Sequence, residues 1–137
     1  MRTLIVEDDF TSRLLLQSFL AGYGECHIAV NGKEAIEAFR RAANSGAHYD
    51  LICMDIMMPE MDGQTALKQI RTIEEERGVN AEHGAKVIMT TALDDIKNVV
   101  EAFKGLCDAY LFKPIDTAKL LGHLRALELI PGEHASN

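Results

Sequence analysis

Basic residues are in short supply: 14 Lys plus Arg stand against 21 Asp plus Glu in 137 residues, a formal charge of −7. Affinity for nucleic acid rests largely on Lys and Arg neutralising phosphates, so this balance argues against DNA or RNA as a direct partner. An anionic membrane surface is disfavoured on the same ground. Cysteine is sparse too. Cys26, Cys53 and Cys107 are odd in number, far apart and in no C-x-x-C arrangement, which reads as small apolar core residues rather than metal or redox chemistry. No apolar run approaches the roughly 20 residues of a membrane span. The opening Met1-Arg2-Thr3-Leu4-Ile5-Val6 meets acid at Glu7, unlike a signal peptide. A cytoplasmic chain is expected.

What is present is a mix of 47% hydrophobic and 26% charged residues, that of a globular chain rather than a disordered one. The length fits one domain, 1–137, with a core over 2–130 and a short tail over 131–137. Short apolar runs alternate five times with segments of helical period. The runs are Thr3–Val6, Cys26–Val30, Leu51–Met54, Lys86–Thr90 and Ala109–Phe112, and their near-continuous apolar character suits strands buried on both faces. Between and after them lie five stripes at helical spacing: Leu15, Leu16, Phe19 and Leu20; Ala35, Ile36, Phe39 and Ala42; Leu67, Ile70 and Ile73; Ile96, Val99, Val100 and Phe103; Leu120, Leu121, Leu124 and Leu127. Asn31 with Glu34 resembles a capping box, and Asp62, Asp94 or Asp95, and Asp116 stand where N-caps belong. Pro131-Gly132 is expected to end the last helix. Arg77–Ala85 reads as a longer surface loop after a solvated Glu74-Glu75-Glu76 helix end. The alternation predicts an α/β fold, a doubly wound five-stranded parallel sheet covered on both faces.

Ligands of such sheets bind outside the carboxyl ends of the strands. Those ends carry Glu7-Asp8-Asp9, Asp55, Thr90-Thr91 and Lys113-Pro114. Carboxylates gathered at one edge repel unless something positive sits among them, and Mg²⁺, a hard cation that prefers oxygen, suits them. Glu7, Asp8 and Asp55 supply three negative charges, which Mg²⁺ and Lys113 balance. Metal beside carboxylates suits phosphoryl transfer, and a carboxylate can itself be the nucleophile. Asp9 is better read as a helix cap. Asp55 lies amid Leu51–Met54 and Ile56-Met57-Met58-Pro59, too apolar a setting for a surface acid.

These residues resemble the receiver domain of two-component response regulators, most closely the stand-alone, chemotaxis-regulator-like kind. The matching signatures are Leu4-Ile5-Val6-Glu7-Asp8-Asp9, Asp55 through Gly63, Thr91-Ala92 and Lys113-Pro114. The resemblance implies a flavodoxin-like sheet of order 2-1-3-4-5. It implies that Asp55 accepts a phosphoryl group from a phosphohistidine on a sensor histidine kinase or histidine phosphotransfer protein. Glu7, Asp8, Asp55 and the backbone carbonyl of Met57 would hold Mg²⁺. Lys113 would pair with the phosphoryl group and Thr91 would hydrogen-bond it, with the Tyr110 rotamer following Thr91. Lys113-Pro114 would be a cis peptide. The chain would be a phosphoacceptor that assists its own phosphorylation and dephosphorylation, not a turnover enzyme. Output would pass by protein–protein contact through the fourth helix, fifth strand and fifth helix, from a monomer or a phosphorylation-dependent dimer.

Departures from the family pattern are Glu7, where Asp is often found, and the apolar Met57 and Leu93, two positions after Asp55 and Thr91. Met57 and Leu93 border the attack path in the family, so a long-lived phosphorylated form is expected. Rival classes fit less well. A dehalogenase-type hydrolase needs D-x-D on the first strand, and a flavodoxin-like carrier needs a hydroxyl-rich and Gly-rich first loop where this chain has Glu7-Asp8-Asp9-Phe10. A pseudo-receiver that binds partners constitutively is the remaining alternative.

Overall fold

The computed structural model describes residues 1–58, 60–80, 82–92 and 105–131. Five strands, β1 (Arg2–Val6), β2 (Glu25–Ala29), β3 (Leu51–Asp55), β4 (Lys86–Thr91) and β5 (Ala109–Phe112), form one sheet. Its order is β2-β1-β3-β4-β5, as the resemblance implied, and every pair is parallel. Helices α1 (Phe10–Leu20), α2 (Gly32–Asn44) and α3 (Gly63–Glu76) and a final helix (Thr117–Ala126) accompany it. The fourth expected helical stripe, its Asp94 or Asp95 cap and Leu93 lie outside the described residues. Among the described residues, no helix is long and apolar enough to cross a membrane.

Side chains alternate across the sheet and sort the core into two layers. Leu4, Val6, Ile52, Met54, Val87 and Met89 pack with Ala35, Ile36 and Phe39 of α2 and with Leu67, Ile70 and Ile73 of α3. Ile5, Leu51, Cys53, Ile88 and Leu111 pack with Leu16 and Leu20 of α1 and with Leu120 and Leu124 of the final helix. Central β3 is buried along its whole length and edge strand β2 only at Ala29. The cysteines are free thiols, with Cys53 buried and its thiol pushed up to about 12, chiefly by desolvation.

The caps expected at Asn31, Asp62 and Asp116 form, and Asp9 caps α1 as expected. Each side chain accepts a hydrogen bond from a first-turn amide, Ser12, Glu34, Thr65 and Ala118 respectively for Asp9, Asn31, Asp62 and Asp116. The Glu34 carboxylate reaches back to the Val30 amide, 3.0 Å away.

Two expectations need correction. The final helix stops at Ala126, well before Pro131. Glu128 takes a left-handed φ of 59°, and the amides of Glu128 and Leu129 donate to the carbonyls of Arg125 and Leu124. That closes the helix by a Schellman motif. Nor is Glu74 solvated. It is buried; its Oε1 accepts from Arg71 Nη1 at 2.7 Å and its Oε2 from the Ala85 amide at 2.7 Å. Arg71 also donates to the carbonyls of Leu106 and Ala85 and lies 3.5 Å from Asp108. One guanidinium thus ties α3 to the approaches of β4 and β5. Only Glu75 and Glu76 are exposed.

Candidate functional site

The parallel register brings the chemistry to one edge. Val6 is level with Met54, and Asp55 with Thr90, so the residues that follow β1 converge with the ends of β3 and β4. Glu7, Asp8 and Asp55 each offer a carboxylate oxygen, and these oxygens lie within 4.8 Å of one another. Glu7 is fully buried and Asp55 is 5% exposed, whereas Asp8 faces solvent. Lys113, one residue beyond β5, brings Nζ to 3.0 Å from Glu7 Oε1 and 3.2 Å from Asp55 Oδ2. Lys113-Pro114 is a cis peptide.

Local backbone finishes the arrangement. Glu7 Oε1 also accepts the Asp9 amide at 3.1 Å, and Asp55 Oδ1 accepts the Met57 amide at 3.2 Å. Glu7 Oε2 is buried with no hydrogen-bond partner. The carboxyl of Asp55 is pushed up to about 7, first by desolvation and then by the neighbouring Glu7, against the opposing pull of Lys113. Burial pulls the Lys113 ammonium down, but Glu7 and Asp55 outweigh it and the net shift is upward. One ammonium facing two buried carboxylates and an exposed third leaves negative charge in excess.

An oxygen-preferring dication fits this set. The orphaned Glu7 Oε2 lacks a positive partner, the donors are all carboxylate oxygens, and one cation would relieve the repulsion that raises Asp55.

The other expected residues stand nearby. Thr91 ends β4, buried, with its hydroxyl donating to the Ala92 carbonyl at 3.2 Å. Tyr110 lies half-buried on β5, packed against the α2–α3 side of the core beside Cys107. Desolvation, then Cys107, pushes its hydroxyl up to about 12. The Met57 side chain is 76% exposed. One supporting residue had no assigned role: Gly63 opens α3 directly beneath Asp55. A Cβ there would sit 2.4 Å from the Asp55 carbonyl oxygen, so only glycine lets the helix start this close. The Asp62-Gly63 pair at a helix start was the available signal.

A model of the response regulator receiver domain matches residues 3–125. The regulatory protein AtoC of Escherichia coli K12 is 38% identical over 130 residues, 93% of this chain but 25% of that protein. The chain therefore spans about a quarter of that relative's length. The chemotaxis protein CheY of Thermotoga maritima is 32% identical over 122 residues, 88% of this chain and 91% of that one. Among solved structures, the receiver domain of sensor histidine kinase PA1611 from Pseudomonas aeruginosa PAO1 carries a magnesium ion in its active-site cleft. It superposes with a TM-score of 0.73 at 25% identity, covering 93% of this chain and 97% of that one. By its sheet order, its acidic strand-end cluster and these matches, the chain belongs to the response regulator receiver domain family.

Proposed function

We propose that this receiver domain is a phosphoryl switch with Asp55 as acceptor, charged by a sensor histidine kinase or a histidine phosphotransfer protein. The observation that carries the reading is the buried pairing of Glu7 and Asp55 beside Asp8, spanned by Lys113 Nζ. An Asp55 oxygen attacks the donor phosphorus in line. The phosphorus–nitrogen bond of the phosphohistidine breaks, the imidazole nitrogen keeps its electron pair and takes up a proton, and an acyl phosphate remains on Asp55. Lys113, already held within hydrogen-bond reach, stabilises the new phosphoryl oxygens. Magnesium, when held by Glu7, Asp8, Asp55 and the Met57 carbonyl, would neutralise charge on the transferring group.

The phosphoryl group adds about −1.5 to −2 charge near neutral pH. Thr91 then exchanges its bond to the Ala92 carbonyl for one to a phosphoryl oxygen, and Tyr110 follows into the space vacated. The face formed by β5, the final helix and the preceding segment is remodelled by this population shift, and a target protein reads it. Donor docking is supported by apolar surface beside the acids: Phe10 and Leu14, one turn apart on α1, are 65% and 51% exposed, and Met57 is 76% exposed. The apolar Met57 also hinders the hydrolytic water and prolongs the phosphorylated state.

Intact mass after incubation with acetyl phosphate and Mg²⁺ tests the proposal. One phosphoryl group should be gained, and none without Mg²⁺ or in Asp55→Ala. No gain together with no Mg²⁺ binding would refute it in favour of a constitutive binding module.

A further inference from the structure

At the opposite, amino-terminal edge of the sheet lies a cavity of about 550 Å³, within the roughly 300–1,000 Å³ that small-molecule sites occupy. It opens between the C-terminal ends of α2 and α3 and the segments leading into β3 and β4. The space exists because Ala43, Gly46, Ala47, Gly78 and Ala85 present little or no side chain to it. We propose that this cavity binds a small aromatic carboxylate, one or two rings carrying a single negative charge.

Its walls are fixed on both sides. Phe39 and Tyr49 supply buried aromatic surface. The Tyr49 hydroxyl is 2.7 Å from His27 Nδ1, and the Arg2 guanidinium lies 5.2 Å from the Tyr49 ring centroid. Facing them is the loop after α3, which is pinned to the helix rather than hanging free. The Val79 amide donates to the Glu74 carbonyl and the Ala85 amide to the Glu74 carboxylate. Asn80 Oδ1 accepts the amides of Glu82 and His83. A cavity with walls held by hydrogen bonds is pre-formed, so a ligand meets little ordering cost.

Charge selects the ligand's sign. The single acid among the described lining residues, Glu74, is already satisfied by Arg71 and by the Ala85 amide. Arg77, exposed at the rim, donates to the neutral oxygens of Ala43 and Asn44, so its positive charge meets no carboxylate in those bonds. His48 and His83 stand at the same rim. An anionic group at Arg77 with an aromatic ring against Phe39 and Tyr49 satisfies both features, whereas a cation would meet Arg77 unfavourably.

The test is a titration of the ¹⁵N-labelled, unphosphorylated full chain with indole-3-acetate, read by amide chemical shifts, with neutral indole-3-acetamide as comparator. Saturable shifts are expected at Ala47, Tyr49, Val79 and His83. The acetamide, and indole-3-acetate with Arg77→Gln, should each bind about tenfold more weakly, as loss of a charged hydrogen bond implies. Ala47→Phe, which fills the space, should abolish the shifts while leaving the rest of the spectrum in place. Absence of saturation at millimolar probe, shifts scattered over other surfaces, or equal binding of acid and amide would overturn the proposal. If Ala47→Phe does not fold, the comparator and Arg77→Gln still decide it.

Discussion

Replacing Asp55 by Asn should stabilise the protein, and the size of the gain follows from the crowding of the carboxylates. The Asp55 carboxyl stands at about 7 in the fold against an ordinary 3.8. At 1.36 kcal/mol per pH unit, holding it ionised costs the fold about 4 kcal/mol. The folded state binds the extra proton between those two values, so stability falls as pH rises from about 4 to about 7, and the full cost is in place above that. Asn keeps the shape and can still accept the Met57 amide, but it gives up the carboxylate that Lys113 shares with Glu7. The pull of Lys113 is already counted in the rise to about 7, so the net gain stays at about 4 kcal/mol. For a domain of this size the gain corresponds to a rise in Tm of about 14 °C. Thermal unfolding at pH 8 without divalent cation measures it, and the same pair compared near pH 4 should differ by little. Millimolar Mg²⁺ should raise the Tm of the wild-type chain more than that of Asp55→Asn, because a cation that binds only the folded state adds RT ln(1 + [L]/Kd). An Asn variant no more stable than wild type at pH 8, or equally stabilised at both pH values, would refute the reasoning.

Other perturbations probe other parts of the molecule. Met57→Asn, which puts a polar group at an exposed position beside Asp55, the proposed acceptor, should shorten the lifetime of the phosphorylated protein several-fold. An unchanged loss of phosphoryl mass with time would count against the apolar shield. Glu74→Ala leaves the Arg71 guanidinium and the buried Ala85 amide without their carboxylate and should cost about 3 kcal/mol in urea unfolding; a cost below about 1 kcal/mol would show that water replaces it. Gly63→Ala places a methyl group 2.4 Å from the Asp55 carbonyl oxygen, so it should destabilise by about 1–3 kcal/mol. It should also slow phosphorylation by acetyl phosphate, and wild-type kinetics would mean that the strand end yields freely.

Much of this was legible in the sequence, for physical reasons. Strands buried on both faces read as unbroken apolar runs, so Leu51–Met54 and Lys86–Thr90 announce β3 and β4 to within one residue of their ends. The acids of the site were legible because a parallel sheet turns the residue after each strand toward a common edge. The misreadings arose where a long-range partner decides the outcome. Glu74 looks solvated at the head of a run of three glutamates, and only the Ala85 amide eleven residues on, together with Arg71, takes it out of water. Pro131-Gly132 suggests too late an end for the final helix because a glutamate, not a glycine, adopts the left-handed conformation at position 128. Nothing in the linear pattern marks Glu7 Oε2 as an orphan, since that depends on how three strands crowd one carboxylate.

The sheet also acts as a partition. Because successive side chains of each strand report to opposite layers, Ile52 and Met54 belong to one packing problem and Leu51 and Cys53 to another. A lost methylene on the α1 side can be compensated by its own neighbours there, without disturbing α3 or the glycine that seats it under Asp55. The two layers can therefore drift apart in sequence at different rates. The strand ends, which belong to both layers, are where that freedom stops.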